Sequence, residues 1–92
     1  MLDRNWRCRA GELDLVLQRG RTIVFCEVKT RSSTRFGAPV EAVTATKQRR
    51  LRSLGAQWLA AFARRGDVRF DVASVMVRRG EEPVIEVLQG VL

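Results

Sequence analysis

From Glu12 to Gln18 (ELDLVLQ) apolar and polar side chains alternate, the pattern of a half-buried strand. Arg19-Gly20 then supplies a turn, and Arg21 to Lys29 (RTIVFCEVK) is rich in β-branched and aromatic residues, so the two segments predict a hairpin. Asn5 to Cys8 predicts a short strand ahead of it. Arg31 to Pro39 (RSSTRFGAP) has the composition of a loop. Beyond it, Leu51, Leu54, Trp58, Leu59 and Phe62 are spaced as one helical stripe, with Gly55 and Ala61 on that side or its margin. This helix is expected to start at Thr44 or Thr46 as N-cap and to end around Arg65-Gly66. Val68 to Val77 (VRFDVASVMV) predicts a long apolar strand, Arg78 to Glu82 a turn, and Pro83 to Leu88 (PVIEVL) a last strand. The fold class that follows is α/β (α+β), a mixed sheet of about five strands with one helix. That helix is long enough to be the crossover that sets the strand after it parallel to the strand before it.

Register decides which polar residues meet. With a two-residue turn at Arg19-Gly20, Gln18 faces Arg21, Asp14 faces Phe25, and Glu12 faces Glu27. Alternation then puts Glu12, Asp14, Phe25, Glu27 and Lys29 on one face. Leu13, Leu15, Leu17, Val24, Cys26 and Val28 make the other face almost wholly apolar. A four-residue loop keeps these faces, whereas a slip of one residue sends Asp14 to the wrong side.

Composition narrows the chemistry. Ninety-two residues predict one domain, 1–92. The chain has no histidine and no tyrosine, which excludes an imidazole base and a tyrosyl intermediate. Cys8 and Cys26 form no C-x-x-C pair and have no histidine to complete a zinc set, so two free thiols are expected, with one disulfide as the alternative. No apolar run reaches the ~18 residues of a membrane span, and Met1-Leu2-Asp3-Arg4-Asn5 does not read as a signal peptide, so a cytoplasmic location is expected. Seventeen basic against ten acidic residues, net +7 with pI near 11.2, favour a polyanionic partner, either nucleic acid or a membrane surface. Lys29 and Lys47 are the only lysines among those basic residues. Lysine is a compact charge that can yield its proton, which arginine does not do.

Three carboxylates crowded beside one lysine repel one another and resist desolvation, a cost that a divalent cation relieves. Mg²⁺ takes one or two carboxylates, keeps several waters and completes its shell with substrate phosphate. Asp14, Glu27 and Lys29 are therefore the candidate catalytic residues, with Asp14, Glu27 and Glu12 as candidate ligands of Mg²⁺ or Mn²⁺. Alone, an E-x-K on a strand is usually a solvated ion pair of small worth. The aspartate on the preceding strand and the net charge favour the functional reading here.

Gly11 to Arg31 (GELDLVLQRGRTIVFCEVKTR) resembles the core of the YraN family, and the resemblance continues through FGAPVEAVTATKQRRL and RFDVASV, nearly the whole chain. That family is similar to Holliday-junction resolvases of the PD-(D/E)xK, restriction-endonuclease-like superfamily. The resemblance implies such a core, with the D…E-x-K site on Asp14, Glu27 and Lys29. It implies a metal-dependent endonuclease hydrolysing phosphodiester bonds in DNA, in particular branched or structured DNA. Two alternatives remain: a non-catalytic nucleic-acid-binding module of the same fold, and a basic RNA-binding structural domain. Relatives usually carry an N-terminal helix before the RNWR segment, often with a further glutamate. Here the expectation is either that the sequence is truncated or that a different acid, with Glu12 the candidate, takes that role, and a second copy in a homodimer is the candidate cover for the sheet surface.

A nucleic-acid surface is expected from Thr30, Arg31 and Arg35, which follow Lys29, and from Lys47, Gln48, Arg49, Arg50 and Arg52 at the start of the helix. Gln48 resembles a glutamine found just after the E-x-K strand in superfamily relatives. Arg64 and Arg65 are expected to favour the helix C-terminal dipole. Asp71, interrupting an apolar strand, reads first as a buried partner of an arginine. Trp58 and Phe62 read as core, and Trp6 as packing or as a base-stacking platform among Arg4, Arg7 and Arg9.

Overall fold

The computed structural model describes residues 1–31 and 45–91, the side chain of Arg31 excepted. The elements in chain order are β1 (Asp3–Cys8), β2 (Gly11–Arg19), β3 (Thr22–Arg31), α1 (Ala45–Ala61), β4 (Asp67–Met76) and β5 (Val84–Leu88). The strands form one mixed sheet in the order β1-β2-β3-β4-β5. All neighbours are antiparallel except β3 and β4, which run parallel from Thr22–Asp67 to Arg31–Met76. The α+β class, the mixed five-strand sheet and the parallel step across the helix are as the sequence pattern predicts. The expected loop after Arg31 and the Thr44 cap fall outside the described residues. No helix among the described residues is long and apolar enough to cross a membrane.

One layer of helix covers one face of the sheet. Leu13, Val16, Ile23, Phe25, Leu54 and Trp58 form the core there, each 2 % exposed or less. Phe25 is its centre, with its ring 5.8 Å from Trp58 and 5.3 Å from Phe70. Gly55 lets the helix come this close: a Cβ on it would sit 3.0 Å from Phe25 Cε2 and 3.1 Å from Phe70 Cζ.

Two details differ from the expected register. The hairpin turn is Gly20-Arg21, with Gly20 at φ +60° and Arg19 paired with Thr22. Asp14 therefore falls beyond the pair Leu15–Cys26 and opposite Glu27, two residues from the expected alignment. Left-handed geometry at the first turn position suits glycine and not Arg19, which settles the turn. A shift of two keeps the alternation of the paired residues, Leu15 to Arg19 with Thr22 to Cys26.

The second difference is Leu13, expected on the face opposite Phe25 and found with Phe25 and Val16 in the helix-side core. Residues three apart cannot share a face of a regular strand. The irregularity is matched on β1: Asp3 and Trp6, also three apart, both contact the helix side, Asp3 through Trp58 and Trp6 through Phe62. Between them Asn5 adopts φ 51°, and the paired register skips from Arg4–Leu15 to Trp6–Leu13. Asn5 and Asp14 thus lie opposite each other at a shared kink. Asparagine is among the few residues that enter the left-handed region at modest cost.

The helix ends at Ala61, earlier than expected. Arg64 N–H donates to Leu59 O at 2.9 Å and Ala63 N–H to Ala60 O at 3.4 Å, with Ala63 at φ 50°. This is a Schellman closure with alanine where glycine is usual. Arg64 and Arg65 lie past the helix, and Phe62, expected in the core, is 49 % exposed while its ring still leans on Trp58 at 5.0 Å.

Candidate metal and nucleic-acid site

Glu27 shares its face with Phe25, two residues back along β3, and Val72 is its parallel partner on β4. Both neighbours are buried, so the glutamate emerges from an apolar floor. On the other side the β2–β3 ladder stops at Leu15–Cys26. The next amide of β3, Val28 N–H, donates to the Asp14 carboxylate at 2.8 Å. A side chain thus takes a bond that a strand carbonyl would otherwise accept, and the strands part at the kink. The gap is a recess of about 10 Å³ lined by Glu12, Leu13, Asp14, Phe25, Cys26, Glu27 and Leu51. That is room for about one water-sized occupant.

The hydrogen bonds of the acids are unequally met. Asp14 Oδ2 holds Val28 N–H. Glu27 Oε2 is buried and has no hydrogen-bond partner among the described residues. A buried carboxylate oxygen left bare is costly, because the strongest acceptor of a protein has lost water and gained nothing. A cation in the recess would meet that need, and two carboxylates with open positions for water and phosphate are a set that Mg²⁺ accepts. Glu12 lines the same recess, but its Oε2 is 2.7 Å from Arg7 Nε. That hydrogen bond and its charge raise the Arg7 guanidinium above its ordinary pKa. Among the described residues no group of three or more acidic, histidine or cysteine side chains is placed to hold a metal ion.

Lys29 follows Glu27 on the same face, half-buried, with Ser74 of β4 as its parallel partner. Sequence reasoning passed over Ser74, although a hydroxyl inside the apolar run VASVM was a visible signal. It is 2 % exposed, and its Oγ has no hydrogen-bond partner among the described residues.

The start of α1 approaches the same end of the sheet. Leu51 lines the recess, and the Arg50 stem passes over Gly11, with Cδ 4.0 Å from where a Cβ there would stand. Lys47 and Gln48 are half-buried one turn before Leu51, while Arg49, Arg50 and Arg52 are exposed. Thr30 is exposed at the end of β3, Arg31 closes that strand, and Arg35 lies outside the described residues. Arg9, in the β1–β2 turn next to Gly11, is also exposed.

Asp71 lies on the opposite face. Arg69 clasps it in a two-pronged pair, both bonds 3.0 Å, and Gly90 N–H adds a third contact at 3.0 Å. It is the arginine partner expected from the sequence. Cys8 and Cys26 are free thiols.

Residues 1–75 match the family model described as uncharacterised protein family UPF0102, the YraN family of the resemblance. The chain belongs to this family. Its UPF0102 relatives include a protein of Beutenbergia cavernae, 53 % identical over 99 % of this chain and 78 % of its own length. Proteins of Frankia casuarinae and Frankia alni are 59 % and 60 % identical, each over 82 % of this chain. The aligned part spans 64 % and 63 % of those two Frankia proteins.

Proposed function

We propose that this UPF0102 chain carries the core of a restriction-endonuclease-like, metal-dependent endonuclease acting on DNA, with branched or structured DNA as the preferred form. The observation that carries the reading is the bare, buried Oε2 of Glu27 in one recess with Asp14. A two-carboxylate set of this kind suits Mg²⁺ or Mn²⁺, which when bound supplies an acidified water and neutralises charge on a phosphate. Asp14 and Glu27 would hold the ion. Lys29 would donate to the phosphate oxygens as negative charge develops on them. Arg50 and the exposed arginines beside it, with Thr30, would bind the flanking backbone, and the +7 charge would draw the polyanion in.

A second reading, a nucleic-acid-binding module without turnover, has one observation in its favour: the Glu12 carboxylate is taken by Arg7, which leaves two acids in the recess. Cleavage of a four-way DNA junction and of linear duplex, with Mg²⁺ or Mn²⁺, separates the two. The endonuclease reading expects metal-dependent strand cleavage that Asp14→Asn and Lys29→Ala abolish while DNA binding persists. Salt-sensitive binding without cleavage by either metal would leave only the module, and a preference for RNA would favour an RNA-binding role.

A further inference from the structure

Two buried side-chain atoms among the described residues lack any hydrogen-bond partner, and they are near neighbours. Glu27 Oε2 and Ser74 Oγ lie on adjacent parallel strands and on the same face. Their register partners are Val72 and Lys29, so the two orphans stand one diagonal step apart. Ser74 is flanked on its face by Val72 and Met76, 0 % and 7 % exposed. An alanine or valine at position 74 would suit those surroundings. A bare hydroxyl there leaves its desolvation uncompensated. Glu27 lines the recess with Asp14, and Ser74 lines a second cavity with Met76 and Glu86, so a ligand shell centred on Glu27 has one diagonal step to cross to the unmet hydroxyl.

We propose that Ser74 is a positioning residue of the metal site, its hydroxyl hydrogen-bonding a water carried by the divalent ion that Asp14 and Glu27 hold. This rests on the metal reading above and extends it to a third strand. The chemistry of the ion favours it: Mg²⁺ and Mn²⁺ held by two carboxylates keep several waters, each with protons to donate. A hydroxyl can accept one of those protons, whereas Lys29, as an ammonium, can only repel them. Ser74 and Lys29 would divide the work, one orienting the shell of the ion and the other facing the phosphate. Groups in this outer position commonly alter metal affinity by about 10–100-fold when removed.

Two measurements on the same variants test this: Mn²⁺ affinity by calorimetry or by the loss of the free-ion resonance signal, and apo-protein stability by urea denaturation. Ser74→Ala and Ser74→Cys are the variants, since both keep the volume nearly unchanged and remove the strong hydroxyl. The expected result has opposite signs: apo stability is unchanged or higher, while Mn²⁺ affinity falls about 10-fold or more. A wild-type protein that binds Mn²⁺ through Asp14 and Glu27, with Ser74→Ala binding it equally well, overturns the role of Ser74 and leaves the metal reading standing. A wild-type protein that binds no Mn²⁺, or binds it equally in Asp14→Asn and Glu27→Gln, overturns both. Loss of apo stability in Ser74→Ala with unchanged affinity would make Ser74 a structural residue.

Discussion

The backbone amide of Val28 donates to the carboxylate of Asp14 across two strands, at 2.8 Å. Asp14 therefore has two separable duties, satisfying β3 and carrying negative charge into the recess. Asparagine keeps an acceptor for the amide and loses the charge. Alanine loses both and leaves a part-buried N–H unmet, a cost of about 1–3 kcal/mol. Urea denaturation should show Asp14→Asn close to wild type and Asp14→Ala destabilised by that amount. Both should lose divalent-metal affinity. Equal destabilisation by the two would mean that the carboxylate charge itself holds the strands.

Gly55 should resist substitution although it lies inside a helix. Alanine there gains about 1 kcal/mol of helix propensity. Its methyl would press on Phe25 and Phe70 at 3.0–3.1 Å. Phe25 cannot move away, since Trp58 and Phe70 hold it on both sides and it is 1 % exposed. Overpacking of this kind costs about 1–3 kcal/mol. Thermal denaturation of Gly55→Ala should thus give a net loss, the reverse of an exposed helical glycine.

The opposite holds at Ala63. Its φ of 50° in the helix closure is a conformation that costs an L-residue about 1–2 kcal/mol. Glycine enters it freely, and Ala63 is exposed, so little packing is lost. Ala63→Gly should raise stability by about 1 kcal/mol in denaturant titration. A loss would show that the unfolded-state entropy of glycine outweighs the relieved strain.

Cys26 gives the fold an alkaline limit. Burial, and after it the charge of Asp71 on the same face, pushes its thiol above the ordinary range. The native chain therefore keeps this proton to higher pH than the unfolded chain does. The stabilisation is complete below the unfolded thiol pKa of about 8.5 and is lost as pH rises beyond it. Denaturation midpoints between pH 7 and 10 should fall more steeply for wild type than for Cys26→Ala. Iodoacetamide should label Cys8, the more accessible thiol, before Cys26.

The hydrophobic pattern was enough to read the strands along the chain, the helical stripe through Leu51, Leu54 and Trp58, and the parallel step. The turn sits one residue later than expected at each position, which aligns Asp14 with Glu27 in place of Phe25, and the kink at Asn5 interrupts the alternation there. Leu13 was misread because alternation assumes a regular pleat, and the left-handed Asn5 that breaks it has no signature in apolar spacing. Phe62 was misread because its spacing continues the stripe past Ala61, where the helix has already closed. Ser74 was missed because a single hydroxyl in an apolar strand is usually satisfied, and only the folded chain reveals that this one is not.

The early end of the β2–β3 ladder has a mechanical consequence. Past Leu15–Cys26 the stretch of β2 that bears Asp14 is paired to β1 alone, while the stretch of β3 that bears Glu27 is paired to β4. The two acids stand on opposite banks of a seam, and beyond the Asp14–Val28 bond no strand pairing stitches the banks together there. Any ion gripped by both carboxylates would act as a rivet across it. Saturating that ion would raise the unfolding free energy by RT ln(1 + [L]/Kd), and amide exchange should slow first along 11–14 and 27–31, where the sheet is otherwise open.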